Sequence, residues 1–216
     1  VLVTGLARDC GERIAKEILR IEKHALKIFA EVKFFIVESD SVDNSVAVLA
    51  QINEQKRNVQ FLSLGRLSTQ IPGRINRLRY CRNQYVSFIR QIPTEDKPDF
   101  VIVVDYDIKN RALNLSPLAK LISESWWDGL FVNQKGPYYD IYALRKKGWV
   151  EDDCFKTYRE LALMMSTKEA KKEAIWSKMC RIAINEDLIE VDSAFGGLAV
   201  YRRSVFEDFD YKLVGE

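Results

Sequence analysis

Two acids separated by one residue, Asp105 and Asp107, close the apolar run Phe100-Val101-Ile102-Val103-Val104. Carboxylates are hard oxygen ligands that suit Mg²⁺ or Mn²⁺, ions usually held by one or two carboxylates together with substrate phosphates. On an extended chain the two acids project the same way, about 7 Å apart, with Tyr106 on the opposite side. The unbroken apolar run predicts a strand buried on both faces, as in a parallel α/β sheet. Ligands of such sheets bind outside the carboxyl ends of the strands, where this acidic pair falls. The competing reading of so short a motif is a strand that ends in a solvated acidic turn.

Three further polar loops follow predicted strands, at Gly5 to Gly11, Glu38 to Ser45 and Gly65 to Gly73. Parallel strands would bring all of these to one edge and so make a single cleft. No Gly-x-Gly-x-x-Gly and no Gly-x-x-x-x-Gly-Lys-Ser/Thr occurs, which disfavours dinucleotide binding and P-loop phosphoryl transfer. A Gly-x-Ser-x-Gly elbow is also missing. With His24 the only histidine, a Ser-His-Asp hydrolase is disfavoured too.

The elements that would position these loops follow from periodicity. Val1 to Gly5, Val32 to Val37 and Val59 to Leu64 are apolar and β-prone. Ile14, Ile18, Ile21, Ala25 and Ile28 recur every three or four residues and predict an amphipathic helix over 12–29. A second helix is expected over about 46–56, capped by Asp43 or Ser45, and a third over 74–90. Strand, helix, strand, helix, strand is the signature of a parallel sheet with right-handed crossovers. Beyond residue 108 a helix is expected near Leu118 to Ser125, a strand over Trp126 to Val132, a Lys-rich helical segment over about 155–184, and a strand region over Val191 to Tyr201. Trp126 and Trp127 are expected in the core and Tyr139 partly exposed. Without repeats or linkers, the chain reads as one α/β domain.

Its 216 residues suffice for such a domain with a substantial core. Lys+Arg of 33 against Asp+Glu of 31 leaves a formal charge of +2, so no nucleic-acid footprint is expected. No apolar run approaches the roughly 20 residues needed to cross a bilayer. Cys10, Cys81, Cys154 and Cys180 lack CxxC spacing, which argues against a zinc site and for reduced, buried thiols in the cytoplasm. The start at Val1 lacks an initiator Met and the profile of a signal peptide, so the domain is expected to belong to a longer protein.

Together, Val3 to Asp9, the loop Glu38-Ser39-Asp40-Ser41-Val42-Asp43, the helix segment Arg77-Leu78-Arg79-Tyr80-Cys81-Arg82-Asn83, and Val103 to Asp107 resemble the donor half of a GT-A nucleotide-sugar glycosyltransferase. The later Tyr138-Tyr139-Asp140-Ile141-Tyr142-Ala143-Leu144-Arg145 and Ala194 to Tyr201 are similar to segments of fungal capsule-associated mannosyltransferases and related bacterial and large-virus enzymes. The resemblance spans essentially the whole chain. It implies a single GT-A (Rossmann-like) domain with a mostly parallel central sheet, a donor-binding half over about 1–110 and an acceptor half over about 111–216.

The same resemblance implies the roles. Asp107 would be the direct ligand of Mn²⁺ or Mg²⁺ on the donor diphosphate and Asp105, in the same metal site, would contact ribose or a bound water, with Tyr106 in the same donor-binding segment. Thr4, Gly5, Leu6 and Arg8 would meet the nucleobase, and Glu38 or Asp40 would accept from a uracil N–H. Arg82 is expected on the diphosphate or ribose, because its fork of donors suits anionic oxygens. Asp192 and Asp140 are the acids expected near the anomeric centre, where an inverting transferase needs a general base on the acceptor hydroxyl. The third metal ligand common in such enzymes has no histidine to supply it here, leaving Asp208, Asp210 or Glu216. The implied partners are a nucleotide-sugar donor, UDP-sugar favoured, and a glycan or glycoprotein acceptor. Two alternatives remain at this level, a nucleotidyltransferase acting on sugar phosphates and a non-catalytic carbohydrate-binding domain.

Overall fold

The computed structural model describes residues 1–106, 113–133, 135–183 and 186–212. Asp107 therefore lies outside the described residues, as does Glu216. Two compact units are present, one formed by Val1–Leu130 with Val200–Glu216 and the other by Phe131–Ala199.

In the first unit the apolar runs become strands β1 (Leu2–Ala7), β2 (Lys33–Glu38), β3 (Val59–Ser63) and β4 (Phe100–Val104). Helices α1 (Arg13–Ala25), α2 (Ser45–Gln55) and α3 (Arg74–Gln91) alternate with them. β1 pairs in parallel with β2 and with β4, and β2 in parallel with β3. The register aligns Ala7 with Glu38 and Glu38 with Ser63, so the carboxyl ends of three strands finish level. With β5 (Gly129–Phe131) and β6 (Leu198–Arg202), the order is β3-β2-β1-β4-β6-β5 in a six-stranded, mostly parallel sheet. Arg202 N donates to Asp128 O and Val132 N to Leu198 O, which sets β6 running against β5.

Sequence accounts for most of these elements. β2 and β4 are buried along nearly their whole length, as their apolar runs require. Helix α1 buries Ile14, Ile18, Ile21 and Ala25, the predicted face. It ends at Ala25 rather than Phe29 because the chain tightens into a turn, with Ile28 N donating to Ala25 O at 2.9 Å. Gly5 answers a packing need. A Cβ there would lie 1.9 Å from the Val104 carbonyl oxygen, so no larger residue fits between β1 and β4.

The second unit has its own core of Tyr138, Ile141, Leu144, Val150 and Cys154, packed by Trp149, Ile175 and Met179. After the short α4 (Leu118–Leu121) of the first unit, the Lys-rich segment of the second forms two short helices, α5 (Cys154–Leu161) and α6 (Thr167–Ala174). Ser166 caps α6 in a reciprocal capping box with Glu169. The expected strand over 191–201 shrinks to β6, because Gly196 and Gly197 take φ of +73° and +89° and break the extended run. At Gly196 a Cβ would lie 2.5 Å from Val132 O, so the glycine serves close backbone packing.

Trp126 departs from expectation. It is 61% exposed, whereas Trp127 is buried with its indole N–H donating to Leu121 O at 2.7 Å. Both residues lie ahead of β5 rather than within it, with Trp126 at a bend in the chain. Cys180 is likewise exposed, while Cys10, Cys81 and Cys154 are the buried free thiols anticipated.

Candidate functional site

The level ends of β1, β2 and β3 launch loops that are braced to one another before any ligand is considered. Asp9 N donates to Ser41 Oγ at 3.1 Å, and Val42 N donates back to Asp9 Oδ1 at 2.8 Å. Ser45 Oγ accepts from both Cys10 N and Gly11 N at 2.8 Å. Its hydroxyl proton goes to Asp43 Oδ1, 2.5 Å away. Neither expected cap takes that position: the N-cap of α2 is Asn44, without a side-chain cap bond, while Asp43 accepts the Ser45 N–H at 2.9 Å and the Ser45 side chain turns to the neighbouring loop.

Glu38 and Asp40 perform the same bracing towards β3. Glu38 is 1% exposed and accepts from Ser41 N at 3.0 Å and from Ser63 Oγ at 2.5 Å, one bond on each oxygen. Asp40 takes a left-handed φ of +60°, uncommon away from glycine. Its Oδ1 accepts from Ser68 N at 2.8 Å, and its Oδ2 lies 3.5 Å from Arg77 Nε. Burial would raise the Asp40 pKa, but the Ser68 hydrogen bonds together with the Arg77 and Arg8 cations outweigh it and lower it. Arg77 is itself fixed, with Nη1 donating to Ile71 O at 2.8 Å and Pro72 O at 2.6 Å. The strand-end rim is thus a continuous hydrogen-bonded frame.

The remaining donor-side residues divide by exposure. Thr4 is fully buried and donates its hydroxyl to Phe35 O at 2.7 Å, so it stitches β1 to β2. Leu6 is half-buried, whereas Arg8 is exposed on the rim with its Nε 3.3 Å from Asp9 Oδ2. Asp105 is half-buried at the end of β4. Tyr106 is buried beside Gly5, and burial raises its phenol pKa strongly. That inward direction is the one the alternation predicts for the residue after Asp105.

Arg82 and Arg77 do part company around α3, as their spacing requires. The Arg82 guanidinium sits 5.3 Å from the centroid of the Tyr211 ring. Tyr211 escaped notice in the sequence because nothing local marks it. Its backbone N donates to Asn83 Oδ1 at 2.9 Å, its carbonyl accepts from Asn83 Nδ2 at 3.1 Å, and its hydroxyl accepts from Tyr85 at 2.7 Å. Burial raises the Tyr211 pKa; Arg82 opposes this and Asp105 adds to it, so both charges act on the phenol.

Of the residues considered for a third metal ligand, Asp210 is bound by Arg90 Nη1 at 3.0 Å and Asp208 is exposed. Among the described residues no three His, Cys, Asp or Glu side chains stand together as a metal cluster. Asp105 offers one hard oxygen donor at the strand end, which fits an ion that completes its shell with water and phosphate oxygens.

In the second unit the two later sequence blocks meet. Arg145 bridges Ser193 in antiparallel fashion, and Ser193 Oγ donates to Ala143 O at 2.7 Å. Asp140 Oδ2 accepts from Gly196 N at 3.2 Å and Tyr138 Oη accepts from Phe195 N at 3.1 Å. Asp192 is exposed, held through its backbone N–H to Arg145 O at 2.9 Å. Tyr139 is 39% exposed, as anticipated.

No known protein family matches the chain, and no curated protein matches it in sequence. Solved structures do. The chain is similar to residues 1–349 of TarS from S. aureus (TM-score 0.45, 14% identity), covering 96% of this chain and 48% of that one. It is similar to the mannosyltransferase PcManGT from Pyrobaculum calidifontis, solved with GDP-Man and Mn²⁺ (TM-score 0.48, 12% identity, 95% and 45% covered). A third is the galactosyltransferase LgtC, solved with donor and acceptor sugar analogues (TM-score 0.43, 14% identity, 97% and 60% covered). The chain spans about half the length of the first two. Among the described residues no helix is long and apolar enough to cross a membrane.

Proposed function

We propose that this chain is a GT-A glycosyltransferase domain that moves a sugar from a nucleoside diphosphate, UDP favoured, to a glycan acceptor with Mn²⁺ or Mg²⁺. The observation that carries the reading is Asp105 at the carboxyl end of a buried parallel strand, in a sheet whose neighbouring strand-end loops are braced into a rigid frame. Preorganised rims of this kind hold a ligand without further ordering cost. Asp105 and Asp107 would hold the ion, which when bound neutralises charge on the departing diphosphate.

The other donor contacts follow from position. Arg8 is exposed on the rim, where turning its guanidinium towards a base or phosphate would exchange its Asp9 contact for the ligand. Asp40 is kept ionised by its partners and, like Glu38, is buried with both oxygens engaged, so Glu38 or Asp40 would accept a base N–H by exchanging one of these bonds. Arg82 offers a fixed cation to diphosphate oxygens. Asp140 and Asp192 are proposed as the acceptor-side acids, with Asp192 the more accessible base and Asp140 the one oriented by Gly196. The donor half extends over about 1–110 and the acceptor half over about 111–216 of a single domain, and the reduced thiols suit a cytoplasmic setting.

Titration calorimetry with UDP, with and without Mn²⁺, tests the donor site. Metal-dependent binding in the micromolar range is expected, and Asp107→Ala should abolish it while the melting temperature stays within about 2 °C, the shift that under about 0.5 kcal/mol produces. Binding that ignores the metal would overturn the proposal.

A further inference from the structure

The segment after β6 returns to helix α3 and sets Tyr211 against Arg82. Three separate attachments hold it there. Both backbone polar groups of Tyr211 pair with the Asn83 side chain, its hydroxyl pairs with that of Tyr85, and Arg90 holds Phe206 O and Phe209 O at 2.8 Å each. Beyond the 3-10 turn Arg203–Phe206 the segment has no regular structure, and these side-chain bonds hold it on α3. What it delivers is one aromatic face to the Arg82 guanidinium.

An arginine on an unsupported surface samples many rotamers and loses that freedom when it binds an anion. A ring under the guanidinium holds it by cation–π attraction, yet leaves its in-plane N–H groups directed outward for oxygens. We infer that Tyr211 is a positioning residue of this site, its ring fixing Arg82 for the diphosphate of a nucleotide ligand. This rests on the donor-site reading given above. Tyr211 itself touches no substrate in this scheme. Asn83 and Tyr85 serve it in turn, Asn83 by setting the register of the tail and Tyr85 by setting the ring.

Tyr211→Phe keeps the ring and loses the bond to Tyr85, whereas Tyr211→Leu loses the ring. With UDP and Mn²⁺, Tyr211→Leu should bind about tenfold more weakly, the order of a desolvated cation–π contact. Tyr211→Phe should stay within about threefold of wild type, rescuing the loss even if its melting temperature falls. In the double variant with Arg82→Ala the two losses should not add, because removing Arg82 leaves the ring nothing to position. Additive losses, or equal losses for Phe and Leu, would overturn the role.

A readout without ligand separates this from the donor-site proposal. Side-chain ¹⁵N relaxation of Arg82 Nε–H in the free protein should report an ordered guanidinium in wild type and Tyr211→Phe, and a mobile one in Tyr211→Leu. Were Arg82 equally ordered in all three, Tyr211 would not position it, whatever UDP does. Were wild type unable to bind UDP while Arg82 loosened as expected, the donor reading would fall and the ring's hold on Arg82 would stand without that ligand.

Discussion

Single residues in this protein carry constraints that differ in kind. At Gly5 the constraint is steric. Its Cβ would sit 1.9 Å from a backbone oxygen that cannot swing aside, so Gly5→Ala must push β1 and β4 apart. A loss of about 3 kcal/mol in urea unfolding is expected, the upper range for overpacking. At Asp40 the constraint is electrostatic. Its pKa lies below the ordinary 3.8, so the ionised form stabilises the fold. That stabilisation is complete above the unfolded value and is lost as pH falls through the folded one. Asp40→Asn should therefore remove part of the acid sensitivity, and the gap in stability between variant and wild type should narrow below about pH 4. Parallel titrations of denaturant midpoint against pH would check it.

Between elements, a few side chains hold one loop to the next. Ser45 is the clearest, since one fully buried hydroxyl accepts two N–H groups from the β1–α1 loop. Ser45→Ala leaves both donors unmet, a cost of about 2–6 kcal/mol at roughly 1–3 per buried group. Hydrogen exchange at Cys10 and Gly11 should quicken with it, and unchanged exchange would show that the loop is held by other means. The cap of α6 is a smaller matter. Ser166→Ala removes the capping box at an exposed helix end and should cost about 1 kcal/mol, read by thermal melting.

For the whole molecule, burial divides the four thiols. Cys180 is exposed, while burial raises the pKa of Cys81 and of Cys154 and encloses Cys10. One thiol should react with a disulfide reagent under native conditions and four after denaturation. Two fast-reacting thiols in the native protein would mean that one of the cores opens readily. Cys154 reports on the second unit, where it packs with Tyr138 and Ile141, and Cys10 reports on the first.

The amino-acid sequence by itself determined the sheet strands of the first unit, the helix faces between them and the placement of acids at strand ends. Those features depend on the order of apolar residues over five to ten positions, which hydrophobic burial reads directly. It was less informative after residue 110, where short strands and glycine breaks leave little periodicity. Only the tertiary structure decided which acids are spent on bracing. Glu38 reaches Ser63 across 25 residues, Ser45 meets Cys10 across 35, and Tyr211 meets Tyr85 across 126. Contacts at such separations leave no local pattern, because each partner's environment exists only once the parallel strands have aligned. Arg82 was visible in the chain; the ring that holds it was not.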